Sequence, residues 1–445
     1  MAETTSATMA LTQPVAQDFA EGVKQPQIHF LEPVRSDSST SSQGFTPRPR
    51  ADSHHLATLK PPSRKWLIAQ ARIWRFLMGI GMHFHDLNNP TPPKPAFVKH
   101  IPTLPRGSEP VSLYFYTPPD YNRRIASGHK YPVVVNFHGG GFVLGTALDD
   151  RYWAASLLKN VNCVVVSVGY RLAPEHPFPT AVDDSVDALL YLSSNAEDLG
   201  LDISRIALSG FSAGANLAFT VPLRLKYHTR AIVGSPKDEE DMSRWATTSE
   251  LLSTYKEIEI VSIVAWYPLL DWTESRASKK RHTIKPEKAL PKFFTDLFDH
   301  SYHPCPDMRG NHASPYASPA LANDGMIKHG IPNDVQMFLC EYDMLLHEGQ
   351  VFSERLENLD KKIETKTIPG VPHGFDKSPS PFRDTEAINA LYAQACAGLL
   401  ESFGQDASHV HRTYSLAQPS LAHSGTSLSE AQRPKGRTIA QNVPL

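Results

Sequence analysis

Residues 208–219 read LSGFSAGANLAF, and this stretch decides the fold. A strand is predicted to end near Ser209, and the small and apolar residues after the turn predict a helix. Between them, residues 210–214 read GFSAG, which is the pattern G-x-S-x-G. In a tight strand-to-helix turn of this kind the serine hydroxyl, here that of Ser212, is exposed above the sheet. The pattern is short enough to arise by chance, so its meaning depends on partners elsewhere in the chain.

Strands and helices alternate on both sides of this turn. Short, mostly apolar runs such as PVVVNF and CVVVSV are typical of buried parallel strands. The predicted strands are 111–116, 132–137, 163–168, 205–209, 257–266, 335–340 and 363–368. The predicted helices are 149–159, 180–195, 212–227, 291–302, 347–360 and 384–403. This alternation predicts an α/β fold with a doubly wound, mostly parallel sheet and helices on both faces.

The chain divides into four predicted regions. Residues 1–58 and 404–445 are polar, aperiodic and rich in Ser and Gln or Pro, which predicts disordered tails. Residues 59–95 hold a predicted helix and a proline-rich connector, and residues 96–403 are predicted to form one α/β domain, to which the motifs discussed below assign the chemistry. Inside that domain, the charged segment 228–256 is expected to be an exposed insertion, and the segment 273–322 is expected to form a lid or substrate wall above the sheet edge.

The helix predicted over residues 66–85 is amphipathic. Its polar or small positions are Lys65, Ala69, Arg72, Arg75, Gly79 and His83. Its apolar side is formed by Trp66, Leu67, Ile73, Trp74, Leu77 and Met78. Two arginines argue against a bilayer span. Three interpretations remain open: a cap over the active site, a helix lying in a membrane interface, and a helix that only packs as structure.

The overall composition excludes some functions. Basic and acidic side chains nearly balance, 44 against 46, which argues against nucleic acid as a partner. The four cysteines show neither metal-ligand nor disulfide spacing, so we expect buried free thiols in a reducing compartment. The N-terminus has no secretory signal pattern. We therefore expect a cytoplasmic protein, or one held peripherally on an intracellular membrane, of undetermined oligomeric state.

A serine hydroxyl needs a base, and the base needs an orienting carboxylate. Downstream of Ser212, Asp343 and His373 each follow a predicted strand, in the chain order Ser, Asp, His. Taken singly, Asp343 could be a loop-capping carboxylate and His373 is one of 20 histidines. Order and placement together predict a catalytic triad. His347 is a weaker alternative base because it follows Asp343 closely and begins a predicted helix.

Acyl transfer also requires donors for an oxyanion. Residues 138–142 read HGGGF directly after a strand, and glycines allow backbone N–H groups to approach a ligand closely. The run 139–141, with the N–H of Ala213, therefore suits an oxyanion hole, and the family resemblance given below narrows the glycine donors to Gly139 and Gly140. A phosphate-binding loop is the alternative, but no lysine follows the glycines at the required spacing.

Six segments together resemble the hormone-sensitive-lipase-like family of α/β-hydrolase-fold carboxylesterases (alpha/beta hydrolase fold-3). They are HGGGF, YRLAPEHPFPTAVDD, GFSAGANLA, SPYASPALA, EYDMLLHEG and HGF, spread over residues 110–403. The resemblance implies an α/β-hydrolase fold, a cofactor-free serine esterase, and an N-terminal helical cap. It maps the triad onto Ser212, Asp343 and His373. The chain departs from the family at Phe211, where an acidic residue is usual, and at Ala215, where a glycine is usual.

The leading functional hypothesis is a serine carboxylic-ester hydrolase acting on short-to-medium acyl esters or acetylated small molecules. One alternative is a non-catalytic small-molecule receptor, since plant gibberellin receptors resemble this family but lack the catalytic histidine. Another is a lipid-ester hydrolase at a membrane surface, with residues 66–85 making the membrane contact.

Overall fold

The computed structural model of the chain describes six ranges, which are residues 62–87, 91–102, 109–231, 256–303, 312–378 and 383–407. The predicted tail 1–58 lies outside the described residues, as do 408–445 of the second tail and 232–255 of the first insert. Cys305 also lies outside them, whereas Cys163, Cys340 and Cys396 are buried free thiols.

Within the described residues one sheet of eight strands organises the molecule. The strands are β1 (Phe97–Ile101), β2 (Val111–Tyr116), β3 (Tyr131–Phe137), β4 (Val164–Gly169), β5 (Leu201–Phe211), β6 (Ile260–Trp266), β7 (Asp334–Cys340) and β8 (Lys362–Ile368). Their order is β1-β2-β4-β3-β5-β6-β7-β8. The β1–β2 and β2–β4 pairs are antiparallel, and the other pairs are parallel. The predicted α/β class with a mostly parallel sheet is confirmed.

The helices cover both faces of the sheet. They are α1 (Arg64–Leu87), α2 (Tyr121–Ala126), α3 (Arg151–Asn160), α4 (Thr180–Ser194), α5 (Ala213–Ala231), α6 (Arg276–Arg281), α7 (Lys292–Tyr302), α8 (Asp324–Gly330), α9 (Leu346–Glu357) and α10 (Thr385–Ser402). On β3, Val133 and Val135 join the core shared with α4 and α5, while Val134 joins the core shared with α3 and α10. This alternation explains the unbroken apolar run, because a strand covered on both faces buries every side chain.

The two edge strands differ from the buried centre. β8 reads KIETKTI and is largely exposed, and β1 reads FVKHI with three exposed residues. Charged side chains on an edge strand oppose unwanted pairing with another chain. The sequence did not predict β1, because its polar residues hide the strand pattern.

The predicted helix 66–85 is present as α1, but its docked side differs from the sequence-based grouping. Leu67 and Ala71 are buried, and Trp74 packs against the aromatic start of α7. Arg75, grouped with the polar side, is half-buried against the domain. Several apolar side chains of α1 face solvent instead. No helix in the described part of the chain combines the length and apolar character needed to cross a bilayer.

The second insert contains more structure than the single helix predicted in it. Its basic run, Lys279-Lys280-Arg281, ends α6. Lys279 is buried and forms an ion pair with Glu348 on α9. Glu348 also accepts a 2.7 Å hydrogen bond from the N–H of Leu270, in the segment that follows β6. The Glu348 carboxylate therefore connects the second insert to that segment.

Candidate active site

Ser212 occupies a strained turn between β5 and α5. Its φ is +54°, a left-handed value that a non-glycine residue rarely adopts. A Cβ on Gly214 would lie 1.9 Å from the carbonyl oxygen of Phe137, so only glycine fits there. The N–H of Ser212 donates to the carbonyl of Trp266 at 2.9 Å. The bond to Trp266 at the end of β6 therefore fixes the backbone of Ser212, and the turn leaves its hydroxyl within reach of His373.

Three side chains predicted from sequence meet at this turn. His373 Nε2 lies 2.8 Å from Ser212 Oγ, and His373 Nδ1 lies 2.5 Å from Asp343 Oδ2. The other carboxylate oxygen of Asp343 accepts from the N–H of Leu345 at 3.1 Å. Asp343 is buried, and the imidazole is nearly so. With Nδ1–H directed at the carboxylate, Nε2 carries the lone pair that faces the serine hydroxyl.

His347, the alternative base, does not join this cluster. It lies on α9, where its ring stacks on His282 of the second insert with centroids 4.7 Å apart. The hydroxyl of Ser212 is instead held by His373. Of the two histidines, His373 is the one in hydrogen-bond contact with Ser212.

The glycine loop after β3 packs against the serine turn. A Cβ on Gly139 would lie 3.0 Å from the carbonyl oxygen of Phe211. Gly140 has a φ of +111°, and a Cβ there would lie 2.2 Å from the carbonyl oxygen of Leu144. Ala213 is the first residue of α5, so its N–H has no partner within the helix. Among the described residues, no acceptor is bonded to the N–H groups of Gly139, Gly140 or Ala213.

Tyr267, Tyr392 and Asp376 form a buried hydrogen-bonded group beside His373. The sequence patterns did not identify these three residues. The ring of Tyr267 packs edge-on to His373 with centroids 4.8 Å apart. Asp376 accepts hydrogen bonds from the hydroxyls of Tyr267 and Tyr392, each at 2.6 Å. Burial alone would raise the pKa of Asp376, but Lys377 and these hydroxyls outweigh it and hold the pKa below its usual value. Asp376 is thus a buried anion that anchors the ring behind His373.

Phe211, the departure from the family pattern, is part of an aromatic cluster. It is buried, and its ring stacks on Trp266 with centroids 5.6 Å apart and an interplanar angle of 6°. Tyr267 and Tyr392 also pack against it. Apolar packing therefore replaces the acidic side chain usual at this position.

Helix α1 is attached beside the glycine loop. Arg75 donates from Nε to the carbonyl of Val143 at 2.8 Å, and from Nη2 to the carbonyl of Ala173 at 2.8 Å. The same guanidinium pairs with Glu175 at 2.9 Å. At the other end of α1, His85 Nε2 lies 3.2 Å from the carbonyl oxygen of Asp376. The helix thus contacts both the glycine loop and the segment that carries His373.

Helix α7 also packs against the glycine loop. A Cβ on Gly141 would lie 2.4 Å from the ring of Phe298, so the helix and the loop are in close contact. Phe142 stacks on Tyr302 with centroids 3.9 Å apart. Within the described ranges, no group of three or more His, Cys, Asp or Glu side chains is arranged to hold a metal ion. The hydroxyl of Ser212, the imidazole of His373 and the glycine loop thus lie together at one edge of the sheet, with aromatic side chains packed behind the loop.

Comparison with known proteins places this site in a family. A family model described as the alpha/beta hydrolase fold matches residues 134–377, more than half of the chain. The chain therefore belongs to the alpha/beta hydrolase fold family. The match covers β3 to the His373 loop, and it confirms the resemblance that the sequence motifs indicated.

Individual relatives are distant but consistent with this family. An AB hydrolase superfamily protein of Schizosaccharomyces pombe is 28% identical over 55% of this chain and 63% of that protein. The chain therefore spans slightly less than two thirds of that relative. An ethyl acetate hydrolase of Pseudomonas putida is 26% identical over 68% of this chain and 83% of that protein. The solved structure of an esterase from Pyrobaculum calidifontis has a TM-score of 0.57 and 26% identity, covering 74% of this chain and 92% of that one.

Proposed function

We propose that this chain is a serine carboxylic-ester hydrolase that works through an acyl-enzyme. One observation carries the proposal: Ser212, His373 and Asp343 form a continuous hydrogen-bonded series at the carboxyl edge of the sheet. Relatives named as an ethyl acetate hydrolase and an esterase support the same reaction class. Retention of a bonded histidine argues against a non-catalytic receptor.

The first half of the reaction acylates the enzyme. Ser212 Oγ attacks the ester carbonyl carbon while His373 Nε2 takes the hydroxyl proton. Asp343 keeps the imidazole oriented and stabilises the imidazolium that forms. The N–H groups of Gly139, Gly140 and Ala213 are proposed to donate to the oxyanion. His373 then gives its proton to the departing alcohol, and the acyl group remains on Ser212.

The second half releases the acid. A water molecule loses a proton to His373 and attacks the acyl carbonyl, which regenerates the oxyanion in the same hole. As the tetrahedral intermediate collapses, His373 returns the proton to Ser212 Oγ and the carboxylic acid leaves. Every proton transfer passes through His373 Nε2. The reaction therefore requires a fixed imidazole ring, which Asp343 holds at Nδ1 and the ring of Tyr267 supports by packing.

We propose short-to-medium acyl esters or acetylated small molecules as substrates. A relative named as an ethyl acetate hydrolase supports a small acyl group. The aromatic packing of Phe298 on Gly141 and of Phe142 on Tyr302 keeps the glycine loop apolar on its packed side. We further propose that α1 acts as a cap, because Arg75 fixes it to Val143 beside the same loop.

The experiment is an acyl-chain series of p-nitrophenyl esters, from acetate to decanoate, on purified protein. We expect turnover that peaks at short or medium chains and falls by a factor on the order of 10⁶ in Ser212→Ala. Equal rates for wild type and Ser212→Ala, with both folded, would remove the proposal. A preference for the longest chains would instead remove the substrate class alone.

A second proposal concerns the outer side of α1, which we assign to an anionic lipid surface. Seven large apolar side chains of this helix are exposed: Trp66, Ile73, Phe76, Leu77, Ile80, Phe84 and Leu87. Phe76 alone retains 70% of its accessible surface. Soluble domains rarely expose a contiguous apolar stripe of this kind without a partner. The spacing of three and four residues places these side chains along one side of the helix.

Charge favours an anionic lipid over other occupants. Helix α1 carries three exposed basic side chains, Arg64, Lys65 and Arg72, and no acidic side chain before Asp86. Phe293, which stacks on Trp74 at 5.0 Å and is itself exposed, extends the apolar area toward the second insert. Exposed basic side chains precede it in that insert: Lys280, Arg281, Lys285, Lys288 and Lys292. Apolar area combined with flanking cations is the composition of interfacial helices.

Vesicle co-sedimentation tests this surface. The variant is Phe76→Gln/Ile80→Gln/Phe84→Gln, and the control is Leu321→Gln/Val351→Gln, whose two side chains are each 42% exposed. We expect wild type and control to bind phosphatidylglycerol vesicles, and the α1 variant to stay in solution with an unchanged melting temperature. Equal sedimentation of variant and wild type would remove the lipid proposal. A concentration-dependent dimer that the α1 variant abolishes, without vesicle binding, would assign the stripe to self-association instead.

A further inference from the structure

One partly buried lysine, Lys377, lies at the meeting point of three parts of the site. Lys377 is the last residue of the short helical turn Phe375–Lys377, which follows His373. Its Nζ lies 2.8 Å from Asp150 Oδ1 and 3.3 Å from Asp376 Oδ2, and its side chain is 19% exposed. None of the catalytic steps described above uses this lysine.

The same ammonium group contacts the residue before the nucleophile. Lys377 Nζ lies 4.0 Å from the centroid of the Phe211 ring. A cation over an aromatic face is attracted by the ring quadrupole, and the attraction is stronger where water is excluded. Phe211 adjoins Ser212 in the strained turn, so this contact bears directly on the backbone that presents the hydroxyl. The cation thus contacts the aromatic residue that stands where the family usually has an acidic one.

Each carboxylate partner of Lys377 leads to another part of the site. Asp376 accepts from the hydroxyl of Tyr267, whose ring packs against His373. Asp150 accepts a 2.8 Å hydrogen bond from Asn136 near the end of β3, two residues before the start of the glycine loop. Lys377 is thus linked to His373 through Asp376 and Tyr267. Through Asp150 it is linked to β3, the strand that leads into the glycine loop.

The electrostatic balance keeps this lysine charged. Burial lowers the pKa of the ammonium group, but the two carboxylates outweigh burial and hold the pKa of Lys377 well above its usual value. An ion pair of this kind is costly to break from one side, because the remaining partner stays buried without compensation. The arrangement therefore resists displacement.

We propose that Lys377 is a positioning residue. Its single cation holds three segments in fixed positions relative to one another: the turn that carries Ser212, the loop that carries His373, and the end of β3 that leads into the glycine loop. The inference rests on the proposed esterase function. Lys377 touches neither substrate nor reacting atoms, so its effect must act through geometry. Displacement of a reacting group by about 1 Å can cost a factor of about 10² in rate, and this loss falls mainly on kcat.

The test compares Lys377→Met, Lys377→Arg and Lys361→Met in steady-state hydrolysis of p-nitrophenyl acetate. Lys361 is a matched control because it is also buried, but it lies before β8, at the end of the sheet away from the site, and donates to the carbonyl of Ile331 at 2.8 Å. We expect Lys377→Met to lower kcat by about ten- to a hundredfold with KM changed less than about twofold. Lys377→Arg should recover most of kcat, and Lys361→Met should lower the melting temperature without changing kcat.

A second variant keeps the inference testable if Lys377→Met fails to fold. Tyr267→Phe removes only the hydroxyl that connects Asp376 to the ring behind His373. We expect a fall in kcat of about three- to tenfold with KM unchanged and the fold intact. Wild-type kcat in folded Lys377→Met, or in Tyr267→Phe, would overturn the positioning role and leave the esterase proposal standing. Absence of turnover in the wild type would overturn the esterase proposal instead.

Discussion

His373 Nε2 lies 2.8 Å from Ser212 Oγ, although 161 residues separate the two in the chain. The contact forms because β5 and β8 run parallel in one sheet and their carboxyl ends meet at one edge. Parallel strands place the loops that follow them side by side, which is how distant residues assemble a site. The pairing supplies a base in hydrogen-bond reach of a hydroxyl that is otherwise unreactive at neutral pH.

The glycine loop gives the first prediction. A Cβ at Gly140 would overlap the carbonyl oxygen of Leu144, and its φ of +111° disfavours any side chain. Gly140→Ala should therefore displace an oxyanion donor and lower kcat by about 10²–10³. The matched control is Gly128→Ala, since Gly128 has a φ of +82° but no heavy atom near its Cβ position. Kinetics showing equal kcat losses in both variants would contradict the assignment of the loop.

The orienting carboxylate gives the second prediction. Asp343→Asn preserves the shape of the side chain but presents an amide that favours the wrong imidazole tautomer. We expect kcat for p-nitrophenyl acetate to fall by about 10⁴ with little change in the melting temperature. The melting temperature serves as the control for folding. Retention of kcat within about tenfold of wild type would show that Asp343 does not orient the base.

The attachment of α1 gives a prediction about pH. Burial alone would raise the pKa of Glu175, but hydrogen bonds and charge from Arg75 and Arg72 outweigh it and hold the pKa below its usual value. A depressed carboxyl pKa stabilises the folded state above its ordinary value of about 4.3, and this contribution is lost as pH falls through the lower, folded value. Hydrogen exchange measured by mass spectrometry should therefore show α1 losing protection as the pH falls below the ordinary glutamate pKa, while β5 keeps it.

Arg75→Met supplies the comparison for that experiment. The variant lacks the guanidinium that depresses the pKa, so α1 should already exchange faster at pH 7 and depend less on pH. Identical pH profiles in wild type and Arg75→Met would show that this ion pair does not hold the helix.

The buried pair between the second insert and α9 gives the fourth prediction. Lys279 and Glu348 are both buried, so removing one partner leaves an uncompensated charge. Lys279→Met should lower the free energy of unfolding by about 3–5 kcal/mol in urea titration. The double variant Lys279→Met/Glu348→Leu should recover much of that loss. If the double variant is less stable than the single one, the loss comes from packing rather than from an unpaired carboxylate.

The sheet and the three triad residues could be predicted from the sequence because each has a local signature. Apolar runs mark the strands, GFSAG marks the serine turn, and Asp343 and His373 each follow a strand in the expected order. The order of these motifs along the chain is informative because parallel strands bring the loops that follow them to one edge of the sheet. The same placement favoured His373 over His347, and His373 is the histidine that lies beside Ser212.

The supporting residues could not be predicted because their partners are distant in the chain. Helix periodicity placed Arg75 on a polar side, yet carbonyls of Val143 and Ala173 draw it toward the domain. Lys279 stands in a basic run that suggests exposure, but Glu348 pairs with it in the interior. A charged side chain is buried only where a partner meets it, and no spacing rule reveals that partner.

The most direct measurement is the intact mass of the protein after reaction with a fluorophosphonate, followed by peptide mapping. We predict one adduct per chain on Ser212, no adduct in Ser212→Ala, and labelling slower by a factor on the order of 10³ or more in His373→Ala. An unlabelled, folded wild-type protein, or an adduct on a residue other than Ser212, would contradict the proposal that this site is a serine esterase.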